Sequence, residues 1–455
     1  SYEEKIQDIY YRSILLFPLL TNQDTGGIIA AAEVDEDFTN CGTDQTEVVD
    51  PEKVLVSMED YVFPAVTSVS TKTKKVLVIE IDPYLSTKNK RVSSFLKQSS
   101  NVDTMIANLK NDISYGSNNN VKIEIVGREL LDEFPTYKEQ VTLLNGSKSY
   151  RFDEETYLSV FNNGWYGWWN TTNQDFLKMD AQKLFDYEYL INKFNLINRK
   201  NNNEFDEVWM ISIDPVSAYE TIMVGRTAYW INGKEIQKDC DNFVITGFTI
   251  SRVDSALECL AHATENIMDA VFRNDTSYNK EYMQITSSNY DNLTLWQKFT
   301  LTEYANKYKN TGLTGVGNVH FAPNSTADYD WLNETYVAST WIDWKNNYPN
   351  LKGETSLVNY ATWNNTKDSY YNGRYYQRWW FSLMPHVSGV TNTGHSNNWW
   401  NYLYDYDYVN VVLNEAGEYS HKYKIGDKII ICNDDIGQSY NSEISKIEEF
   451  LILAC

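Results

Sequence analysis

The chain has 455 residues, of which 42% are hydrophobic and 22% charged, so it can bury a large core and is too apolar to be disordered. Its formal net charge of -23 argues against partners such as nucleic acid or anionic lipid, since both require clustered Lys and Arg. No apolar run approaches the roughly 18 residues of a membrane helix, so we predict no membrane span.

In chain order, residues 1–74 combine a helical start with loops rich in Gly, Asp and Thr, which predicts an N-terminal cap or an arm toward another subunit. Runs of β-branched residues then predict strands at 76–82, 121–126, 207–214 and 243–250. Apolar spacing predicts helices at 95–109, 181–197 and 253–272. This alternation predicts that residues 75–275 form an α/β domain, with a mainly parallel sheet flanked by helices. Ligands of such sheets bind at the carboxyl ends of the strands.

Residues 276–455 are dense in Trp, Tyr and Asn, with few periodic runs. We predict an aromatic-rich region of short strands and long loops that packs on the α/β domain. Exposed Trp can stack on sugar rings, whereas most Trp in a large protein lies in the core. The candidates for sugar stacking are Trp165, Trp168, Trp169, Trp379, Trp399 and Trp400.

The predicted helix 253–272 carries His262 and Glu265 three residues apart, so both side chains share one helix face and could chelate a cation. A complete site needs a further ligand, for which His320 is the obvious candidate. The pattern therefore predicts one divalent metal ion, zinc or calcium, held by these three residues. The alternative is a solvated polar flank of the helix.

A loop of fixed shape follows, from Gly315 to Asn324, and its Gly, Asn and Pro residues are typical of tight turns. Its polar residues, and those just after it, could converge on a metal or a sugar; the candidate ligand-binding residues are Asn318, Asp328 and Trp331. Asp330 in the same segment, or Glu220 after the strand 207–214, is the candidate catalytic carboxylate. The alternatives are a purely structural loop and, for Glu220, a carboxylate at a helix start.

The five cysteines are far apart in the sequence, and no two of them have the CxxC spacing that is typical of metal sites. Cys240 and Cys259 flank one strand-to-helix unit, so we predict a disulfide between them. The chain begins with Ser1, which fits either a removed leader or a trimmed chain. We expect an extracellular glycoprotein, although the abundance of Asn, Ser and Thr produces sequons by composition alone. The glycosylation sequons are Asn145, Asn170, Asn274, Asn292, Asn324, Asn333 and Asn364.

Four segments, FDEVWMISIDPVSAYETIMVG, ECLAHATENIM, GNVHFAPNSTADYDW and SNNWWNYLYD, resemble an uncharacterised family of secreted bacterial and microbial-eukaryote proteins. The resemblance runs from about Glu204 to Asp405, and GNVHFAPN…DYDW is its most specific part. It implies an extracellular setting but no particular activity. It also implies that one set of residues belongs together, namely Glu220, His262, Glu265, Asn318, His320, Asp328 and Asp330.

Two functions follow from these patterns. The first is a divalent-metal-dependent hydrolase of extracellular glycan or peptide, with His262, Glu265 and His320 as ligands and Glu220 or Asp330 activating water. The second is a non-catalytic glycan-binding or structural glycoprotein, such as a coat or filament subunit. Its aromatic region would contact glycan, extracellular matrix or further copies of the chain.

Overall fold

The structure is a computed structural model that describes residues 71–96, 101–159, 185–212, 218, 220–250, 256–273, 275, 290–304, 313–391, 393 and 395–406, with the backbone of two strands at 428–433 and 438–443. Residues 1–70 of the predicted N-terminal cap or arm therefore lie outside the described residues. Also outside them are Trp165, Trp168, Trp169, Asn170 and Asn274.

The strands are β1 Lys72–Ile81, β2 Tyr84–Leu85, β3 Lys90–Arg91, β4 Val121–Leu131, β5 Thr136–Thr142, β6 Lys148–Arg151, β7 Glu207–Ser212, β8 Thr221–Gly225, β9 Ile236–Gln237, β10 Phe243–Thr249, β11 Val337–Ser339, β12 Ser356–Val358, β13 His386–Val390, β14 Ser396–Asn398, β15 Lys428–Asn433 and β16 Gln438–Glu443. The α-helices are α1 Val92–Leu96, α2 Val102–Gly116, α3 Tyr187–Lys193, α4 Leu196–Asn201, α5 Ala256–Phe272, α6 Leu295–Phe299, α7 Trp341–Asn347, α8 Asn372–Ser382 and α9 Trp400–Tyr404.

Six strands form the central sheet in the order β4-β1-β7-β10-β8-β9. The four strands β4, β1, β7 and β10 run parallel, as predicted from their alternation with helices. Strand β8 is antiparallel to β10, with Thr221 opposite Thr246. The α/β fold with a mainly parallel sheet is thus confirmed. The antiparallel β8 was not predicted, and it decides where the preceding residue, Glu220, lies.

Alternate residues of the strands face two separate hydrophobic clusters, as expected for a sheet that is covered on both sides. One cluster contains Trp209 and Phe248 together with the inner face of α5. The other contains Met210 and Phe243. The predicted Cys240–Cys259 disulfide is wrong, because Cys240 lies in the second cluster and Cys259 on α5 packs against the first. The two cysteines are not joined to each other.

The region after residue 290 packs on the helices of the α/β part through a dense aromatic core. Trp379, Trp399 and Trp400 are buried there, so their prediction as sugar-stacking platforms is wrong. Their rings contact other rings instead: Trp399, for example, lies edge-on to Phe272 of α5 with 5.5 Å between the ring centroids. The strands of this region are short and form two-stranded ladders, in agreement with the prediction of short strands.

A buried ion pair also fastens this region to the sheet domain. Asp112 of α2 accepts hydrogen bonds from Arg374 of α8 at 2.8 and 3.0 Å, and Arg378 lies 3.1 Å from the same carboxylate. The Asp112 side chain is 2% exposed, so neither arginine can be lost without leaving a buried charge poorly compensated.

Two predicted helices are divided in the structure. The helix predicted at 95–109 is replaced by α1 and α2, and α2 begins after Asn101, whose side-chain oxygen accepts the Thr104 N–H. The helix predicted at 181–197 becomes α3 and α4, which are separated by Asn195 at a φ of 52°. No helix among the described residues is long and apolar enough to cross a membrane.

Gly317, in the loop before His320, provides a stability test of this packing. Its φ is +93°, and an added Cβ would lie 2.4 Å from the Phe321 carbonyl oxygen and 2.5 Å from the Tyr376 hydroxyl. We expect Gly317→Ala to lower the free energy of unfolding by about 3 kcal/mol, since backbone strain and overlap add.

Gly353→Ala is the matched control for that measurement by chemical denaturation. Gly353 also has a positive φ, +76°, but nothing lies within 4 Å of its added Cβ. Gly353→Ala should therefore lower the free energy of unfolding by only about 1 kcal/mol, through backbone strain alone. Equal losses of stability in the two variants would contradict the close packing around Gly317.

Candidate metal centre

Three parts of the chain meet at the carboxyl end of strand β10: the residue before β8, the first half of helix α5, and the loop 315–331. The backbone carbonyl of Glu220 accepts the Gly247 N–H at 2.7 Å, which fixes Glu220 at this end of the sheet. Helix α5 follows β10 in the chain and carries Glu258 and His262 in its first two turns. The site thus lies where the predicted architecture places ligands.

The loop is held in place by helices α5 and α8. Its carbonyls at Asn318 and Phe321 lie 2.9 and 3.0 Å from the hydroxyl of Tyr376, and Trp380 Nε1 donates to Gly317 O at 2.8 Å. On the opposite side, Glu265 Oε1 of α5 accepts the Val319 N–H at 2.9 Å. These contacts fix the backbone beside His320 against α5.

At the centre, the Nε2 atoms of His262 and His320 lie 3.0 Å apart. Glu258 Oε1 lies 3.2 Å from Nε2 of His320 and 3.9 Å from Nε2 of His262. All three residues are buried, and their ligand atoms lie within 4.8 Å of one another. This Glu/His/His group could hold a metal ion.

The opposite edges of both imidazoles face carboxylates. Nδ1 of His320 lies 3.1 Å from Asp328 Oδ1, and Nδ1 of His262 lies 3.6 Å from Glu265 Oε2. Metal-binding histidines have this arrangement, in which a carboxylate orients the ring and makes the free nitrogen a better ligand.

Two further groups border the centre. Glu220 Oε2 lies 3.6 Å from His262 Nε2 and accepts a hydrogen bond from Asn232 Nδ2 at 3.2 Å. The hydroxyl of Tyr329 lies 3.0 Å from His320 Nε2. Glu220 is half-buried and Tyr329 is 36% exposed, so both border the solvent more closely than the three buried residues do.

Burial and charge shift the pKa values of these groups. Burial raises the pKa of Glu220 above its usual range, although the histidines oppose this effect. Burial alone would lower the pKa of His320, but Asp328 and Glu258 outweigh it and raise the pKa to about 10. The pKa of His262 is likewise raised against the effect of burial, by Glu220 and Glu265. Burial acts to raise the pKa of Glu258, yet the hydrogen bond with His320 lowers it.

The structure brings together most of the predicted residues, with changed roles. His262 and His320 converge, whereas Glu265 lies on the Nδ1 side of His262 and supports the ring. The carboxylate beside both Nε2 atoms is Glu258, which sequence reasoning did not predict as a ligand. Its spacing of four residues before His262 places it on the same helix face, so by spacing it is as good a candidate as Glu265.

Other predicted residues have structural roles. The carboxylate of Asp330 accepts hydrogen bonds from Thr326 and Asn333 within its own loop, and its assignment as a catalytic residue stays a prediction. Asn318 Oδ1 accepts the backbone N–H groups of His320 and Phe321 and shapes the loop. Trp331 is buried, 7% exposed, and lies edge-on to Tyr329; its assignment as a ligand-binding residue stays a prediction.

The sequons differ in accessibility. Asn145 is exposed and Asn333 is half-buried. Asn324 and Asn364 are each 1% exposed and donate through Nδ2 to backbone carbonyls, which argues against glycosylation at these two sequons. Glycans attach to that nitrogen, which in these two residues is enclosed by the fold. Occupancy of the remaining sequons stays a prediction.

Comparison with known proteins adds no family to this picture. The sequence matches no protein-family model, and no curated protein is significantly similar to it. The resemblance carried by GNVHFAPNSTADYDW therefore stays a prediction, and the site is interpreted from its geometry alone.

The raised histidine pKa values predict how the stability of the metal-free protein depends on pH. His320 has a pKa of about 10 in the folded protein and an ordinary value of 6.5. The stabilisation from its proton is complete below about pH 6.5 and is lost as the pH rises through 10. We expect the free energy of unfolding in EDTA to fall from pH 7 to 9.5, by up to about 1.4 kcal/mol per pH unit for each proton.

Urea titrations at several pH values measure this slope, with His320→Gln as the comparison. The variant should have a flatter dependence, since it lacks the titrating ring. Identical slopes for both proteins would contradict the protonated state assigned to His320.

Proposed function

We propose that this protein is a divalent-metal-dependent hydrolase whose metal ligands are Glu258, His262 and His320. The convergence of two buried imidazole Nε2 atoms at 3.0 Å, with a carboxylate 3.2 Å from one of them, carries the proposal. Two histidines and one carboxylate are a common ligand set of catalytic zinc sites, which keep a further position open for water or substrate.

The donor set favours zinc over calcium. Calcium takes six to eight oxygen ligands, whereas two of the three donors here are imidazole nitrogens. The carboxylates behind each Nδ1, Asp328 and Glu265, match the outer shell of zinc-bound histidines. Of the two metals that the sequence suggested, zinc is therefore the one that we propose.

Glu220 is the group best placed to activate water. It lies 3.6 Å from a ligand nitrogen but is not one of the three residues that form the tightest group. Burial raises the pKa of Glu220 toward neutral pH, and a pKa near the working pH suits a general base. Asn232 holds the Oε2 atom from the other side. A bound divalent cation would act as a Lewis acid toward the substrate.

The charge of the site favours a carbonyl substrate such as a peptide bond over a phosphate ester. Four carboxylates surround the centre: Glu220, Glu258, Glu265 and Asp328. Among the described residues, the ion pairs recorded for them are with the two histidines. Such a site repels phosphate, whereas a polarised carbonyl and a general base are sufficient for amide or ester hydrolysis. Glycan remains the second substrate class to test.

The alternative of a non-catalytic coat or glycan-binding protein has less support. Its main motivation was the aromatic region, and the candidate Trp residues that are described there are buried. An extracellular location is part of the proposal and rests on the sequence.

The metal centre can be tested by elemental mass spectrometry of natively purified protein after dialysis. We expect about one zinc ion per chain, because three protein ligands with carboxylate support bind zinc firmly. His262→Gln, His320→Gln and Glu258→Gln should each reduce the zinc content severalfold or more.

His386→Gln is the matched control for those variants, since His386 lies in β13 outside the centre and should not affect zinc content. Glu265→Gln should retain zinc with an affinity lower by about 10- to 100-fold, as expected for an outer-shell residue. Absence of stoichiometric metal from the wild type, and of binding when zinc is added, would refute the proposed centre.

Catalysis can be tested with the zinc-loaded protein on mixed peptide, ester and glycan libraries, with products identified by mass spectrometry. We expect Glu220→Gln to lower the rate by about 100-fold or more at unchanged zinc content, the usual effect of removing a general base. Glu354→Gln, an exposed change outside the site, should retain the wild-type rate. Equal rates for wild type and Glu220→Gln would remove Glu220 from the mechanism. No cleavage in any library would count against a hydrolase.

A further inference from the structure

Tyr329, which borders the centre, has an unusual backbone conformation. Its φ is +57°, in the left-handed region that bulky side chains rarely adopt and that costs about 1–3 kcal/mol. The Tyr329 N–H donates to the His320 carbonyl at 3.1 Å, which holds the backbone in this turn. Strain of this kind persists where the surrounding structure demands it, and it is concentrated at functional sites.

The turn places the phenol against the metal-facing edge of His320. The two rings lie 4.3 Å apart between centroids, and the hydroxyl lies 3.0 Å from Nε2. The Trp331 ring lies edge-on to the Tyr329 ring, with 5.0 Å between the ring centroids. The hydroxyl is therefore directed at the nitrogen that would bind the cation, and not at the outer edge of the ring.

Nε2 of His320 has more neighbours than it can bond at once. It carries one proton or one lone pair, yet His262 Nε2, Glu258 Oε1 and the Tyr329 hydroxyl all lie within 3.2 Å of it. A single cation bound to both Nε2 atoms and to Glu258 would satisfy this crowded arrangement. The phenol oxygen would then face the cation as well.

On this basis we propose that Tyr329 supplies a fourth, displaceable protein ligand to the metal. This inference rests on the proposed metal centre and adds a residue that the ligand group of two histidines and Glu258 does not contain. Tyr329 is 36% exposed, whereas the three ligands are buried, so its side chain can withdraw toward solvent. It would bind the cation in the resting protein and give way when a substrate oxygen arrives.

The position of Tyr329 also divides the site into two sides. Tyr329 borders His320, whereas Glu220 borders His262 at 3.6 Å from its Nε2. Departure of the phenol would open the coordination position beside His320, and the carboxylate beside His262 would stay in place to accept a proton. The ligand that is exchanged and the base are therefore different residues.

Copper substitution gives a direct test that does not depend on finding a substrate. A tyrosinate bound to Cu²⁺ produces a visible charge-transfer absorption band that imidazole and carboxylate ligands do not produce. We expect the band in the copper-loaded wild-type protein, with copper quantified by elemental mass spectrometry. Tyr329→Phe should lose the band while retaining about one copper ion per chain.

Tyr336→Phe is the matched control, since Tyr336 is an exposed tyrosine of the same part of the chain and should leave the band unchanged. Stoichiometric copper without the band in the wild type would overturn the role of Tyr329 and leave the metal centre standing. Persistence of the band in Tyr329→Phe would do the same. Failure of the wild type to bind zinc or copper at all would overturn both proposals.

Discussion

Two buried imidazole nitrogens that lie 3.0 Å apart impose a constraint to which the rest of the site responds. Two protons cannot both occupy that gap, so it requires one shared proton or one cation. When both Nδ1 atoms carry protons toward Asp328 and Glu265, either choice places positive charge in a buried region, where an uncompensated charge costs several kcal/mol. Glu258 and Asp328 supply the compensation at His320, and Glu220 and Glu265 supply it at His262. The acidity of the site is thus a consequence of bringing the two rings together.

That approach depends on the aromatic core, which gives the abundant Trp and Tyr residues a purpose other than sugar binding. His320 lies on a loop, and a loop can present a ligand accurately only when its backbone is fixed. Tyr376 and Trp380 of helix α8 fix it through the carbonyls of Gly317, Asn318 and Phe321. Helix α8 is in turn attached to α2 by Arg374 and Asp112. Packing that is remote from the chemistry therefore determines the distance between the two histidines.

The sequence predicted those parts of the molecule that depend on local pattern. Strands β1, β4, β7 and β10 and helix α5 follow from β-branched runs and apolar spacing, and the spacing of His262 and Glu265 indicated a polar face on α5. Which carboxylate on that face meets His320 could not be predicted, because Glu258 and Glu265 lie on either side of His262 and the choice depends on the direction from which the loop arrives. The role that we propose for Tyr329 depends on a positive φ that no propensity of tyrosine indicates. Glu220 reaches the site because β8 runs antiparallel to β10, a pairing that the alternation of strands and helices did not predict.

If the centre were purely structural, several destabilising features would have no compensating interaction. Buried ionic clusters stabilise a fold little better than apolar residues of similar volume, and often less well. A bulky residue at φ +57° adds strain, and the crowded Nε2 of His320 leaves its hydrogen bonds in competition. A bound cation would remove the competition, would use the carboxylates as counter-charge and would give the strained phenol a partner. All three costs then have one explanation, and it is this agreement between independent features, more than any single distance, that makes a metal the most economical account of the site.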